Sequence, residues 1–276
     1  MQQGHRERFL RAIGIMTERD LQKIHSTTIA IGGLGLGGAI FMNLVRMGFQ
    51  NFHVADPDTY ERTNVNRQRL AKESTLGVRK DDALIREARD MNPHIKIQTF
   101  RNGVNEENAA EFLEGADWVV DTVDVFALAE KLALNQEAAK RGLPVVSCGS
   151  LGFSAAVIVF DKTTPTFAEQ TGLHAAADYQ QNIRRFIQFL TPEIPDYMQE
   201  QMEKAMNRES HIPFMVAGVE IAAACAATEI AKQILSLGPQ VRAPNGLYID
   251  PVNHRFEIFN ADFRARELAQ KIKRAA

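Results

Sequence analysis

Short apolar runs alternate with amphipathic segments along the first half of the chain. The runs are rich in β-branched residues and lack a helical spacing, which is typical of buried strands. The segments between them repeat apolar residues at a helical spacing and end at glycine or at Asn-Pro. The predicted strands are residues 27–31, 51–55, 118–121 and 143–148, together with residues 95–100, where apolar and polar residues alternate. The predicted helices are residues 39–47, 80–91, 109–113 and 127–141, after one or two short helices within residues 6–25.

This alternation predicts an α/β fold of the Rossmann-like, doubly wound type, with a mostly parallel sheet and helices on both faces. The second half adds a predicted strand at residues 155–160, a helix at 215–235 and a C-terminal β hairpin at 247–250 and 255–259. Residues 163–212 are rich in Gln, Glu, Arg and Met and are expected to be a helical insertion. Residues 1–276 are therefore predicted to form a single domain, and a basic helix is expected at residues 264–274.

Composition narrows the class of protein. Of the 276 residues, 45% are apolar and 24% are charged, which excludes a disordered or fibrous chain. The net charge of -2 disfavours nucleic acid as the main partner. Residues 1–8 lack the apolar core of a secretory signal, and the longest apolar stretch, 214–227, is interrupted by Glu220 and too short to span a bilayer. We therefore expect a cytoplasmic protein without a membrane partner.

A glycine-rich turn between the first predicted strand and the following helix indicates a phosphate site. Backbone N–H groups at such a turn point toward a ligand, and the helix dipole favours negative charge there. An acid at the end of the next strand, Asp56, lies about 20 residues further on, where the dinucleotide fold places its ribose-binding carboxylate. The candidate nucleotide-binding glycines are Gly32, Gly33, Gly35 and Gly37. This portion alone also permits an NAD-dependent oxidoreductase.

The polar segment at residues 56–68 has no purpose in an ordinary NAD dehydrogenase. Together with its surroundings it resembles the ThiF/MoeB/HesA family, within the superfamily of adenylating enzymes that includes the ubiquitin-activating enzymes. The resemblance covers residues 8–259 and rests on an Arg-Phe-x-Arg start, the glycine loop, an Asn-x-x-Arg-Gln segment, a lysine and a later acid. The residues that carry it are Arg8, Arg11, Asp56, Asn64, Arg67, Gln68, Lys80 and Asp124.

The resemblance implies a role for each of these positions. Asp56 would hold the ATP ribose, while Asn64, Arg67 and Lys80 would contact the phosphates beside Gln68. Asp124 would hold Mg²⁺ near the α-phosphate. Arg11 would reach the ATP of a neighbouring subunit, which implies a homodimer. The catalytic set would then be Arg11, Arg67, Lys80 and Asp124, with ATP and Mg²⁺ as the bound groups. From the residues alone, Lys80 and Arg67 are also compatible with surface charges, Asn64 with a turn residue and Asp124 with a helix N-cap, although the functional roles are favoured.

Three departures from the family pattern stand out. Leu34 occupies a position where the family has glycine, Val125 replaces an asparagine, and the paired CxxC zinc site is missing, so no zinc is predicted. Cys148 and Cys225 are expected in the core. The insertion, where activating enzymes carry a thioester cysteine, contains none, so a catalytic thioester is not expected.

The expected activity is therefore activation of a carboxylate as an acyl-adenylate. The expected substrate is a peptide or small protein, such as the C-terminal glycine of a ubiquitin-like or sulfur-carrier protein. Activation of a small-molecule or peptide side-chain carboxylate for dehydration or amidation is an alternative. The segment at residues 63–68 also resembles the family branch that dehydrates a tRNA-borne threonylcarbamoyl group, so tRNA is not excluded as a partner. A non-catalytic nucleotide-binding relative is a further alternative, favoured by Leu34 and Val125.

Overall fold

An eight-stranded sheet lies at the centre of the protein in a computed structural model that describes residues 7–262 and Ala265. The strands are β1 (Thr28–Gly32), β2 (Asn51–Ala55), β3 (Lys96–Phe100), β4 (Trp118–Asp121), β5 (Val145–Leu151), β6 (Ser154–Phe160), β7 (Asn245–Asp250) and β8 (Arg255–Asn260). The helices are α1 (Glu18–Ser26), α2 (Leu36–Met47), α3 (Lys80–Met91), α4 (Ala109–Phe112), α5 (Leu128–Arg141), α6 (Phe167–Thr171), α7 (Tyr179–Leu190), α8 (Gln199–Met206) and α9 (Val216–Leu235). Apart from Ala265, the basic helix predicted at 264–274 lies outside the described residues.

The strand order is β3-β2-β1-β4-β5-β6-β7-β8. The first five strands are parallel, with Ile29 of β1 opposite Phe52 on one side and Trp118 on the other. The last three pairings are antiparallel, and β7 and β8 form the C-terminal hairpin. The predicted Rossmann-like fold is therefore confirmed.

Alternate strand residues pack against helices on opposite faces of the sheet. Ile29 and Ile31 of β1 lie in a core with α1, α2, α3 and α9, whereas Ala30 between them packs in a second core with α4, α5, α6 and α7. Strands β1, β4 and β5 are buried along nearly their whole length, which explains why they appear in the sequence as apolar runs. The edge strand β3 is half-buried or exposed and alternates apolar and polar residues.

The segment predicted as a helical insertion contains α6, α7 and α8. Helix α7 is amphipathic and contributes to two clusters. Phe189 and Leu190 pack against the sheet, whereas Ile183 and Ile187 pack against α8 at Met202. Among the described residues, no helix combines the length and the apolar character needed to cross a bilayer.

Candidate active site

A cavity of about 740 Å³ opens at the carboxyl ends of the parallel strands. Its wall takes residues from the glycine turn after β1, from the loops after β2, β3 and β4, and from β5 itself. The strand order reverses between β1 and β4, and an open α/β sheet binds its ligands in the crevice at such a switch point. The fold therefore places the cavity where the sequence predicts a nucleotide.

The glycine turn brings backbone close to the cavity. Gly33 has a φ of 84°, and a Cβ there would lie 2.5 Å from the carbonyl oxygen of Thr122, so only glycine fits. Gly35 is the N-cap of α2, and both glycines line the cavity, so the start of that helix faces the space. Gly32 and Gly37 lie beside the cavity and not in its wall, and a Cβ on Gly32 would meet Leu134 at 2.8 Å.

Leu34, the departure within the glycine turn, does not obstruct the cavity. Its side chain is fully buried in the core that contains α2. Its backbone N–H donates to Oδ2 of Asp56 over 2.6 Å. The turn therefore tolerates a large side chain because that side chain points away from the ligand space.

Asp56 and Lys80 form a buried pair in the cavity wall. The Asp56 carboxylate accepts a hydrogen bond from the N–H of Asp58 over 2.8 Å. The Nζ atom of Lys80 lies 2.7 Å from Oδ2 of Asp58 and 3.7 Å from Oδ1 of Asp56. Lys80 is only 5% exposed, so the alternative that it is a surface charge is wrong. Burial raises the pKa of Asp56, and the charge of Lys80 opposes that rise.

This raised pKa predicts a pH dependence of nucleotide affinity. In the role that the family resemblance implies, the carboxylate form of Asp56 would accept hydrogen bonds from the ribose hydroxyls, and protonation would remove that acceptor. We expect ATP affinity to fall as the pH drops through the pKa of Asp56, above the range of an ordinary carboxyl group. Isothermal titration at several pH values checks this. Asp56→Asn should bind weakly with a flat profile, and an equally steep profile in that variant would assign the titration to another group.

The segment after β2 presents its polar side chains from one short turn. The Oδ1 atom of Asn64 accepts the N–H of Glu61 over 3.0 Å, and the Asn64 carbonyl accepts the N–H groups of Arg67 and Gln68. Asn64 is thus the turn residue that its sequence also allowed, and it is buried and in the cavity wall as well. Oε1 of Gln68 is buried without a hydrogen-bond partner among the described residues, which suits a site completed by a ligand.

Arg67 is half-buried, and the aromatic ring of Phe214 covers it. Its Nη1 group donates to the Thr63 carbonyl over 2.8 Å and to Oδ1 of Asn66 over 3.0 Å. Its guanidinium carbon lies 5.3 Å from the centre of the Phe214 ring. Desolvation lowers the pKa of Arg67, and the charge of Asp124 across the cavity opposes that change. A desolvated guanidinium of this kind suits phosphate oxygens.

Asp124 lies exposed at the cavity rim after β4. Its Oδ1 accepts the N–H of Phe126 over 3.1 Å within its own turn. Helix α5 begins at Leu128 with Ala127 as its N-cap, so the alternative that Asp124 caps this helix is wrong. The neighbouring Val125 lines the cavity, and its buried side chain packs in the cluster of α7 and α8.

A buried polar network beneath this rim was missed by sequence reasoning. Asp121, at the end of β4, is fully buried and pairs with Lys131 of α5, and Asn135 donates to the same carboxylate over 2.9 Å. Lys131 also lines the cavity. Lys131 and Asn135 are one helical turn apart on the face that carries Leu134 into the core. Polar residues at core-facing positions of a predicted helix could have indicated this buried network from the sequence.

Both cysteines are buried or half-buried, and one borders the cavity. Cys148 of β5 is in the cavity wall, a position that the sequence did not indicate. Burial is the main cause that raises the pKa of its thiol, and the nearby charge of Asp121 adds to it. Burial also raises the pKa of Cys225 on α9. Neither environment favours a thiolate nucleophile.

We therefore expect the cysteines to be dispensable for chemistry. Cys148→Ala and Cys225→Ala, separately and together, should keep most product formation, with losses that follow the melting temperature. Turnover and ATP–pyrophosphate exchange are measured side by side. A variant that loses turnover but keeps exchange, or a thiol-labile enzyme adduct, would establish a thioester step.

Arg11 lies in a short turn at Leu10–Ala12, where its side chain is exposed. It is not among the residues that line the cavity. Two apolar neighbours on the same segment are also exposed, Leu10 at 53% and Ile15 at 77%. The arrangement within one chain therefore leaves Arg11 outside the site.

The fold and the cavity define a Rossmann-like α/β protein with a charged site at the switch point of its sheet. The chain belongs to the ThiF family, whose pattern matches residues 8–269. The resemblance seen in the sequence is therefore confirmed.

Two curated relatives illustrate the range of the family. The chain is 29% identical over 163 residues to the adenylyltransferase and sulfurtransferase MOCS3 of Culex quinquefasciatus, covering 59% of this chain and 36% of the relative. It is 32% identical over 148 residues to the tRNA threonylcarbamoyladenosine dehydratase of Bacillus subtilis strain 168, covering 53% of this chain and 54% of the relative. The matched region thus spans between about a third and a half of these relatives.

A solved structure shares the fold. Escherichia coli MccB with MccA-N7isoASN superposes with a TM-score of 0.73 at 17% identity, covering 93% of this chain and 72% of that one. At this identity the likeness establishes the architecture alone.

Proposed function

We propose that the protein uses ATP to adenylate a carboxylate. The observation that carries this proposal is the convergence, around one cavity of a ThiF-family chain, of the glycine turn, the acids Asp56 and Asp124 and the cations Arg67 and Lys80. The curated relatives include enzymes named adenylyltransferases. An oxidoreductase would leave the charged segment after β2 without a role.

Each group has a task in such a reaction. An oxygen of the substrate carboxylate bonds to the α-phosphorus of ATP, and the bond from that phosphorus to the bridging oxygen of pyrophosphate breaks. Negative charge grows on the leaving pyrophosphate, where Arg67, Lys80 and the N–H groups of the glycine turn can neutralise it. Asp56 accepts hydrogen bonds from the ribose and fixes the nucleoside.

The donor set at the rim suits Mg²⁺ bound together with phosphates. Within the described residues, no group of three or more His, Cys, Asp or Glu side chains is arranged to hold a metal. Mg²⁺ typically takes one or two protein carboxylates and completes its shell with water and substrate phosphates, so the single exposed Asp124 fits. When bound, the ion would supply further charge neutralisation near the α-phosphate. No zinc is proposed.

The substrate we propose is a carboxylate of a peptide or small protein. Structures of MccB with the peptide MccA support a peptide substrate. The relative MOCS3 is named both an adenylyltransferase and a sulfurtransferase, which supports a sulfur-carrier protein as substrate. The dehydratase of Bacillus subtilis supports the second candidate, a tRNA-borne carboxylate. The net charge of -2 weighs against that candidate, because a tRNA-binding surface needs a basic excess.

Pyrophosphate exchange tests the proposal. The purified chain is incubated with MgATP, labelled pyrophosphate and, in parallel, peptides with a free or an amidated C-terminus, and tRNA. We expect exchange that requires the free carboxylate, and thermal stabilisation by MgATP but not by NAD. Stabilisation by MgATP without exchange for any carboxylate would indicate a non-catalytic relative, and exchange with tRNA alone would favour the dehydratase.

We also propose that the protein is a homodimer in which Arg11 acts on the partner's ATP. The exposed position of Arg11 outside its own cavity supports this arrangement, and its planar fork suits phosphate oxygens. Inactive Arg11→Ala mixed with inactive Asp124→Ala should regain part of the activity, because a mixed dimer has one site with both residues. The measurement is exchange rate against mixing ratio. No recovery despite demonstrated subunit exchange would contradict action across the interface.

The domain organisation and the cellular location of the protein are also proposals. Residues 1–276 would act as one domain with its helical insertion at 163–212, supported by the packing of α6 and α7 on the same sheet as α4 and α5. The cytoplasmic location stays a prediction.

A further inference from the structure

The turn that carries Asp124 is held from beneath by a buried ion pair. Asp121 is fully buried and Lys131 is 1% exposed. The Nζ atom of Lys131 lies 2.8 Å from each carboxylate oxygen of Asp121 and donates to the Val123 carbonyl over 2.9 Å. Two of these contacts are hydrogen bonds, to Oδ1 of Asp121 and to the Val123 carbonyl, and the third adds to the ion pair. Lys131 borders the cavity, but these contacts direct its ammonium group toward the segment at residues 121–123.

The pair fixes the two peptide groups that flank Val123. The N–H of Val123 donates to Oδ1 of Asp121 over 3.2 Å, and its carbonyl accepts from Lys131. That carbonyl belongs to the peptide group that leads into Asp124, so its orientation sets the direction of the Asp124 backbone. On the other side, the Thr122 hydroxyl lies 2.9 Å and 2.8 Å from the carbonyl oxygens of Gly32 and Gly33.

Asp124 itself has little to hold it. It is exposed, and its carboxylate accepts a hydrogen bond from the N–H of Phe126 in its own turn. Its position relative to the glycine turn thus depends on the segment at residues 121–123. Stability alone gives no reason for this pair, because buried ion pairs can be replaced by apolar residues at little or no loss of stability.

We propose that Asp121 and Lys131 are positioning residues that aim the Asp124 carboxylate toward the nucleotide phosphates. This rests on the proposed function in one respect, the assignment of Asp124 to Mg²⁺. Groups that orient a metal ligand typically contribute 10- to 100-fold to metal affinity or activity, so removal of the pair is expected to weaken the Mg²⁺ effect by about tenfold or more.

The test is the ratio of ATP dissociation constants measured with Mg²⁺ and with a chelator. The variant Asp121→Asn/Lys131→Met removes both charges and leaves none buried alone. We expect its ratio to fall by about tenfold or more, with the affinity for metal-free ATP nearly unchanged. A control is Glu229→Gln/Lys232→Met, which removes an ion pair on α9 between a buried carboxylate and a half-buried lysine, away from the cavity wall. This control should keep the wild-type ratio, because neither of its residues has a hydrogen bond or ion pair with the segment at residues 121–123.

A folded Asp121→Asn/Lys131→Met variant with the wild-type ratio would overturn the proposal, as would a wild-type protein whose ATP affinity is insensitive to Mg²⁺. Because the ratio needs no turnover, absence of pyrophosphate exchange would refute the proposed function and leave this inference standing. If the variant does not fold, amide hydrogen exchange of the ligand-free wild-type protein tests the proposal instead. The Val123 amide should exchange as slowly as the amides of β4, and exchange at the rate of an open turn would overturn the proposal.

Discussion

Asp124→Ala should lower the rate of adenylation at least a hundredfold while leaving the fold intact. The side chain is exposed at the end of a buried strand, and its contact within its own turn adds little to the core. Asp124 is the residue that we propose to hold Mg²⁺, so its loss would remove the charge neutralisation that the ion supplies in the transition state. An effect of several kcal/mol corresponds to two or more factors of ten in rate, at about 1.4 kcal/mol per factor.

The measurement is ATP–pyrophosphate exchange together with thermal unfolding. Asp90→Ala removes an exposed carboxylate of α3 that does not line the cavity and serves as the control. We expect both variants to melt near the wild-type temperature, and only Asp124→Ala to lose pyrophosphate exchange. Retention of most exchange in Asp124→Ala would exclude the residue from the mechanism.

Lys80→Met should reduce kcat/KM for adenylation by about a hundred- to a thousandfold, in the range for removal of a preorganised electrostatic group. Two effects combine in this variant. A cation for the phosphates disappears, and the buried Asp56 loses the charge that opposes the rise of its pKa. The midpoint of the pH dependence of ATP affinity should therefore move to higher pH.

Lys72→Met is the matched control, since Lys72 is an exposed lysine of the same segment and does not line the cavity. It should retain wild-type kinetics and the wild-type pH profile. If Lys80→Met loses kcat/KM but keeps the wild-type pH midpoint of ATP affinity, Lys80 does not influence the pKa of Asp56. A near-normal rate would show that the phosphates do not rely on Lys80.

Local patterns determined the framework of this protein. Apolar runs predicted β1, β4 and β5, because a strand buried on both faces needs apolar residues along its length. Alternating apolar and polar residues predicted the edge strand β3. The positions of Gly33 and Asp56 directly after β1 and β2 placed both at one edge, since the carboxyl ends of parallel strands meet there. Membership of the ThiF family likewise followed from the order and spacing of a few polar residues.

The tertiary structure decided what surrounds each group. Phe214, just beyond the end of the insertion, reaches Arg67. Cys148 is in the cavity wall, although the sequence predicted an ordinary core position. Lys131 meets Asp121 only when α5 docks on the sheet. These contacts join segments distant along the chain, so no local period encodes them. The burial, the contacts and the pKa of a side chain depend on which surfaces pack together. Strands, turns and the residues at strand ends depend mainly on neighbours in sequence.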